Sequence, residues 1–412
     1  MQKRIISIFL ILLVALSGCA TSHITVTEKN EVNGLEVTER AMSVESSTNT
    51  KIVINPESQK STNSIITKAE PNSKTLGSGE ANTPGFISAP VEDVVIGSVS
   101  EYFPLIMNSI YYYKNENGKS VQRYLQYVRF EEGHEITQLR ISGEGTDMMN
   151  VLELTPDSVK ILYNATDNSY RENIIGRTSD IGIEILKAPL EKGNKWETNG
   201  IEAEIISTDK KIKVNDFEMN AIVVKLFNPN REVYEIDYVK NLGPYKVTRT
   251  IVDDNGNYKG SPVTILEFKS LMYNQSEKVP VKFYFPESDG KYSEVIKDLY
   301  FDTNDITRSE LKDSYVSIAE SQGKQHVLTD DSRIQFLFIK DGAVHLDLND
   351  AFINYVNKHP DEEKRILTAL IKTITEFYKS NRLYLTVNDQ RYESNSLKIE
   401  KTTELNSKSF NE

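Results

Sequence analysis

The chain has little of the chemistry that usually marks an enzyme or a disulfide scaffold. A single cysteine, Cys19, occurs in 412 residues, so no intrachain disulfide can form and the fold must rest on apolar cores. Five histidines, His23, His134, His326, His345 and His359, lie scattered along it. None sits in an H-E-x-x-H helix and no cysteine cluster joins them, so the strong zinc signatures are missing. There is no G-x-S-x-G elbow and no P-loop. Positive charge is in deficit: 48 Lys and Arg against 60 Asp and Glu leave a net charge of -12. Such a chain repels phosphate backbones, which argues against nucleic acid as a partner. Past residue 16 no apolar run reaches the length of a membrane-spanning helix. No catalytic, metal or cofactor site is expected, and the chain reads as a non-enzyme.

What is present begins at the N-terminus. Lys3-Arg4 precede an apolar run over residues 5–16, too short to span a bilayer as a mature helix and suited to a signal-peptide core. Ser17-Gly18 then lead into Cys19. This order looks like a bacterial lipoprotein signal with its lipobox. The resemblance implies removal of residues 1–18, lipidation of Cys19 with a palmitate-type acyl anchor, and a place on the extracytoplasmic side of the cell membrane. A thiol suits the acceptor role because its thiolate is a good nucleophile. The blander alternative is an ordinary secretory peptide, but no A-x-A-like site is evident nearby.

Residues 19–96 are poor in large apolar side chains and rich in Ser, Thr, Asn, Glu and Lys, as in Ser73-Lys74-Thr75-Leu76-Gly77-Ser78-Gly79-Glu80. Such a segment buries too little to offset its ordering entropy, so a disordered linker is expected. As a coil its ends would lie on the order of 45 Å apart.

Residues 97–273 change to period two and predict a mainly antiparallel β domain of unknown function, a sandwich or an open barrel. Tyr124, Gln126, Val128 and Phe130 alternate with Leu125, Tyr127 and Arg129, and Val159, Ile161 and Tyr163 are expected on one face. Asp254-Asn255-Gly256-Asn257 reads as a hairpin turn, and a short helix is possible over 176–184. The stretch Ala188-Pro189-Leu190-Glu191-Lys192-Gly193-Asn194-Lys195-Trp196 looks similar to a pattern in uncharacterised secreted bacterial β-domains, which assigns no chemistry. Trp196, the sole tryptophan, is expected to anchor a core.

Residues 279–393 predict an α+β unit with helices on one face of a small sheet, followed by a disordered tail over 394–412. Val281, Phe283 and Phe285 alternate in a first strand, expected in the same sheet as 334–348 and 383–387. Thr307-Arg308-Ser309-Glu310 reads as a capping box. Asp341-Gly342 is the pair favoured in type I′ hairpins, with His345 on the exposed or half-covered side of the second strand. Pro360 with Asp361-Glu362-Glu363 marks a helix start, and Ile366, Leu367, Leu370, Ile371, Ile374, Phe377 and Tyr378 give that helix a broad apolar face. The order of Lys340-Asp341-Gly342-Ala343-Val344-His345-Leu346-Asp347-Leu348, Phe352, Thr373-Ile374-Thr375-Glu376-Phe377 and the strand 383–387 resembles the sporulation and spore germination domain of GerM type (GerMN). The resemblance covers about a quarter of the chain. Ser321-Gln322-Gly323 and Leu328-Thr329-Asp330 stand where the family usually has Gly-Pro and Leu-Pro. It implies an envelope lipoprotein or membrane-anchored protein, a fold like the ring-building modules of secretion machines, and no catalytic role.

Other polar groups have plain readings. Asp253-Asp254-Asn255-Gly256-Asn257 lacks the spacing of an EF-hand loop. Asp302-Thr303-Asn304-Asp305 reads as the approach to a helix. Glu131-Glu132 and Glu362-Glu363 read as solvated charges. The sequence therefore predicts a lipid-anchored envelope scaffold or assembly module with envelope-protein partners, connected with sporulation or germination. The alternative is a ligand-binding or sensor-accessory lipoprotein, motivated by Tyr111, Tyr112, Tyr113, Tyr124 and Tyr127 in the middle domain. A cell-wall hydrolase would need convergent acid and base residues, and the sequence offers none.

Overall fold

The computed structural model describes residues 97–143, 146–166, 170–177, 179 and 181–410. Cys19, the signal segment and the linker expected over 19–96 lie outside them.

The described chain is mostly antiparallel β. Twelve strands come first: β1 (Ser109–Asn115), β2 (Ser120–Glu131), β3 (His134–Gly143), β4 (Thr146–Leu154), β5 (Ser158–Thr166), β6 (Ile183–Lys187), β7 (Lys195–Thr198), β8 (Ile201–Val214), β9 (Phe217–Asn228), β10 (Glu232–Val239), β11 (Gly243–Val252) and β12 (Tyr258–Tyr273). They form one sheet in the order β6-β5-β4-β3-β2-β1-β12-β11-β10-β9-β8-β7. This is an up-and-down meander in which β1 pairs with β12. Its two ends, β6 and β7, meet through side chains rather than a backbone ladder. Trp196 Nε1 donates to Glu184 O at 3.0 Å, Glu184 N–H donates to Thr198 Oγ1 at 2.9 Å, and Thr198 Oγ1 donates to Gly182 O at 3.0 Å. The sheet is thus nearly closed, and burying its inward rows needs no second layer. Leu125, Leu139, Leu152, Ile161, Ile185, Val224, Ile236 and Val247 belong to that interior core, and Trp196 joins it at the seam.

Two bulges change which residues share a face. One between Leu125 and Tyr127 lets Leu125 and Val128 both join the interior, while Tyr124 and Tyr127 turn outward. Another sets Ile161 opposite Leu152 but Tyr163 opposite Val151. Tyr163 therefore leaves the face expected for it and packs outside with Met149, Val151 and Ile174. An extra residue in one strand inverts the side-chain parity beyond it, which strict alternation cannot show. No helix forms among the described residues of 176–184; Ile181, Ile183 and Ile185 instead enter the interior core. The turn at 253–257 forms as expected, with Gly256 at φ 79.

One end of the sheet is plugged by α1 (Val99–Tyr102) and residues 103–106. Val99, Tyr102 and Phe103 join the interior core. Asn241 N–H donates to Glu101 O at 2.6 Å, and Lys240 pairs with the Glu101 carboxylate at 3.1 Å.

The C-terminal elements are β13 (Glu277–Pro286), β14 (Tyr292–Phe301), α2 (Thr307–Gln322), β15 (Ile334–Lys340), β16 (Ala343–Leu348), α3 (Asp350–Val356), α4 (Glu363–Phe377), β17 (Leu383–Val387), β18 (Gln390–Glu393) and β19 (Lys398–Ile399). Strands β15 to β19 form a five-stranded sheet in chain order. Its β16/β17 pair is parallel, and α3 and α4 supply the crossover that a parallel pair requires. Asp341 and Gly342 both take positive φ, as a type I′ turn demands.

Four expectations need correction, one being Glu362-Glu363 as solvated charges: Glu363 is buried and accepts from the Tyr392 hydroxyl. The 281–285 segment is not in this sheet: β13 pairs only with β14, as a separate ribbon. The ribbon docks on α4, where Tyr284 N–H donates to Thr373 Oγ1 at 2.9 Å. Helix α4 is consequently buried on several sides, including Thr368, Thr373 and Thr375, and Thr368 and Thr375 return their hydroxyls to the carbonyls of Lys364 and Ile371. Thr307 does not cap α2, whose N-cap is Ile306; its hydroxyl is engaged by Tyr127 and Arg171 instead. Residues 394–410 are not a free tail: Lys398–Ile399 pairs with β18, and Leu405 bridges Leu383, so that Ile399 and Leu405 are buried in the core.

Candidate functional site

Where the twelve-stranded sheet meets the C-terminal elements, Arg171 is 0% exposed. Its Nε donates to Glu277 Oε2 at 3.0 Å. Nη1 donates to Asp305 O at 2.6 Å, to Thr307 Oγ1 at 3.2 Å and to the Tyr127 hydroxyl. Nη2 donates to Gln126 O at 3.2 Å and Asp302 O at 3.1 Å. Glu277 also accepts from Gln126 Nε2 at 2.8 Å and Arg140 Nη1 at 3.1 Å. Gln138 extends the network, donating to Gln126 Oε1 at 2.7 Å and Glu172 O at 2.8 Å. Both charges are buried, and burial is tolerable here because fixed partners replace water around each of them. Next along the chain, Glu172 accepts from Ile339 N–H at 2.9 Å and from Arg177 at 3.1 Å. Burial pushes the Glu172 carboxyl above the usual carboxylate range, with Arg177 and the Ile339 amide opposing that shift. The arrangement is a saturated joint and leaves no group free for chemistry.

A second buried arginine is held differently. Val121, Arg123 and Leu125 follow one another on the inward parity of β2, so the apolar stripe carries a charge. Arg123, 7% exposed as a residue, lines an interior chamber of about 90 Å³ together with Phe103, Tyr113, Leu139, Asn150, Leu152 and Ile236, among others. Its Cζ lies 4.0, 5.5 and 5.8 Å from the ring centroids of Tyr111, Phe103 and Tyr113. No carboxylate among the described residues pairs with it. The hydroxyls of Tyr111 and Tyr113 are buried; that of Tyr113 meets no hydrogen-bond partner, and that of Tyr111 has only the Arg123 guanidinium nearby. Burial raises both phenols above their usual range, against the pull of Arg123, so both stay protonated and able to donate. A smaller recess adjoins, sharing Phe103, Arg123 and Leu139 with the chamber and lined also by Tyr111.

The third feature is a surface. Phe338, His345 and Tyr384 stand opposite one another on β15, β16 and β17. His345 lies 4.9 Å from Phe338 in a stacked pair and 5.2 Å from Tyr384. Phe338 is 39% exposed and Phe336, on the same strand, 50%. This aromatic row occupies the sheet face away from the core. Burial, and then Lys340, push the His345 imidazole below its ordinary value, so it is neutral at pH 7 and stacks as an uncharged ring.

Of the tyrosines singled out by sequence, Tyr113 reaches the chamber and Tyr111 the adjoining recess, whereas Tyr112 lies on the opposite parity. Tyr124 and Tyr127 belong to the joint, donating to Phe301 O at 2.9 Å and lying 3.1 Å from Thr307 Oγ1. Asp253 acts within its own turn, accepting from Asn255 N–H and Asn257 N–H at 2.9 Å. Glu131 pairs with Arg129 and His134 at the surface. Among the described residues no group of three or more His, Cys, Asp or Glu could hold a metal, and no helix is long and apolar enough to cross a membrane. Sequence reading missed Arg171, which sits in a loop with no periodic context. It also missed Arg123, whose readable signal was a charge at an apolar parity position.

No family model matches the chain, and no curated protein matches it. Among solved structures, the first GerMN domain of the sporulation protein GerM from Bacillus subtilis aligns at 20% identity over 30% of this chain and 94% of its own, with a TM-score of 0.23. A Clostridium perfringens protein assigned provisionally as a lipoprotein aligns at 18% identity over 32% of this chain and 87% of its own, TM-score 0.22. The tandem GerMN domains of the same Bacillus subtilis GerM align at 17% identity over 32% of this chain and 46% of theirs, TM-score 0.21.

Proposed function

We propose that this chain is a non-catalytic, lipid-anchored protein of the extracytoplasmic envelope, whose C-terminal unit is a GerM-type module used in assembly during sporulation or germination. The observation that carries the reading is the uncovered aromatic row Phe338–His345–Tyr384. One face of the sheet is spent on the core, and the other presents stacked rings to solvent, the kind of residue enriched at the centres of protein interfaces. Part of the β15 edge is already occupied, since Glu172 and Arg177 bond both backbone groups of Ile339, so the broad face is the more available surface. Lipid on Cys19 supplies the membrane attachment and residues 19–96 the reach.

The test is crosslinking and pull-down from intact envelopes. Wild type should capture an envelope protein, Phe338→Glu combined with Tyr384→Glu should lose it, and Cys19→Ser should leave the membrane fraction. Unchanged capture by the double variant would remove the aromatic face from the reading, and acyl labelling of the serine variant to wild-type extent would remove the anchor. A second reading, a ligand-binding accessory lipoprotein, is favoured by one observation, the apolar chamber inside the twelve-stranded sheet.

A further inference from the structure

We propose that the chamber binds a small monocarboxylate with a short alkyl body, its carboxylate against Arg123 and the hydroxyl of Tyr113. The inference rests on the second reading above and names the ligand class.

Three observations converge. Arg123 is more than nine-tenths buried, lines the chamber, and meets rings but no carboxylate. A buried guanidinium ordinarily has an anion or a full set of acceptors, as Arg171 does in the same molecule. Beside it, the buried hydroxyl of Tyr113 has no partner, although buried polar groups in folded proteins nearly always have one. The remaining wall is mostly apolar, including Leu139, Leu152, Ile161, Ile236 and Val247; its other polar side chains are Asn150 and Tyr238, whose hydroxyl donates to Ile185 O at 3.1 Å. The Oδ1 of Asn150 accepts from Asn164 Nδ2 at 2.5 Å.

The head group follows from charge and donors. One cation faces the chamber, so a monoanion neutralises it, whereas a dianionic phosphate would leave a buried negative charge without a partner. The planar fork of a guanidinium matches a carboxylate, and the Tyr113 phenol adds one donor. The body follows from size. The chamber, at about 90 Å³, is smaller than the roughly 150 Å³ cavity that takes benzene, so the acid must be smaller than benzene, with about two or three carbons. The plug at 98–106 contributes Phe103 to the wall, so exchange of ligand requires movement at that end of the sheet.

The experiment is equilibrium dialysis of the full chain with labelled propionate, against propionamide as a neutral counterpart of the same shape. Saturable uptake of one propionate per chain is expected, with at least about tenfold weaker uptake of the amide. Arg123→Gln should lose propionate binding by a similar factor while near-ultraviolet circular dichroism shows a native core. Should that variant fail to fold, Tyr113→Phe keeps the ring and the charge and removes one donor; weaker propionate binding, with amide uptake unchanged, supports the same site. Equal uptake of acid and amide overturns the carboxylate assignment while leaving an apolar site. No uptake of either by folded wild type overturns both this inference and the ligand-binding reading.

Discussion

The joint at Arg171 and the chamber at Arg123 bury the same side chain in opposite ways. Arg171 meets a carboxylate, three backbone carbonyls and two hydroxyls. Arg123 meets three aromatic rings and no carboxylate. Cation–π contact contributes about 0.5–2 kcal/mol, less than the several kcal/mol that desolvating an ion costs. The joint is complete, so a ligand would have nothing to add. The chamber is incomplete, and an anion would supply what is missing. Burial of a charge does not mark a binding site by itself; burial without satisfaction does.

The largest effect should come from breaking the joint. Arg171→Met removes the donors to Asp302 O, Asp305 O and Gln126 O and one partner of Glu277. Removing one member of a buried, hydrogen-bonded pair costs about 3–5 kcal/mol, a large share of the roughly 5–15 kcal/mol that stabilises a domain. Urea denaturation should show a much lower midpoint, and the twelve-stranded sheet should separate from the C-terminal unit into its own transition. A loss under about 1 kcal/mol would collapse the contrast between the two arginines. Glu277→Gln should cost less, about 1–3 kcal/mol, because the amide keeps one acceptor and turns a donor toward a guanidinium. The same titration measures it, and an unaltered midpoint would show that Arg140 and Arg171 do not depend on that carboxylate.

Much of the architecture was legible in the residues, and the exceptions share a cause. Period-two runs announced the strands, and Asp341-Gly342 and Asn255-Gly256 announced their turns, because local backbone preference decides these features. The bulges at Leu125/Tyr127 and Val151/Leu152 were not legible, since the extra residue looks like any other strand residue. The pairing of β13 with β14 alone and the docking of Ile399 and Leu405 depend on long-range packing, which a local pattern does not encode. Thr307 followed a good capping pattern and was overruled by Arg171, a residue 136 positions away. The candidate site was legible in one respect: Val121-Gln122-Arg123-Tyr124-Leu125 places a charge where an apolar side chain was due. The missing counter-charge was visible only in three dimensions.

A smaller effect lies at the edge of the joint and depends on pH. Burial raises the Glu172 carboxyl above its ordinary value, so between its unfolded and folded pKa the native state binds more protons than the unfolded chain. Stability contributed by this group is therefore present below the unfolded pKa and declines as pH rises through the folded one. Glu172→Gln removes that slope while keeping an acceptor for Ile339 N–H. The stability of wild type relative to Glu172→Gln should fall as pH rises above the ordinary glutamate range of about 4, read from denaturation series at matched ionic strength. A difference that rises instead would mean that Arg177 outweighs burial.

The smallest effect should be Arg123→Met, and its sign is the sharpest part of the contrast. Methionine follows a similar path along the chamber wall and can keep contact with Tyr111 and Phe103. The substitution loses a cation–π contact of about 0.5–2 kcal/mol and relieves the desolvation of a charge that has no anionic partner. Replacing buried ionic groups by apolar ones of similar volume is often neutral or stabilising. In buffer without carboxylates the variant should therefore unfold within about 1 kcal/mol of wild type, or later. Adding propionate should then separate the two, because a ligand bound only to the native state raises its stability with concentration: the midpoint of wild type should climb and that of Arg123→Met should stay. A loss of about 3 kcal/mol or more in plain buffer would place Arg123 with Arg171, as a charge whose partners hold the fold together.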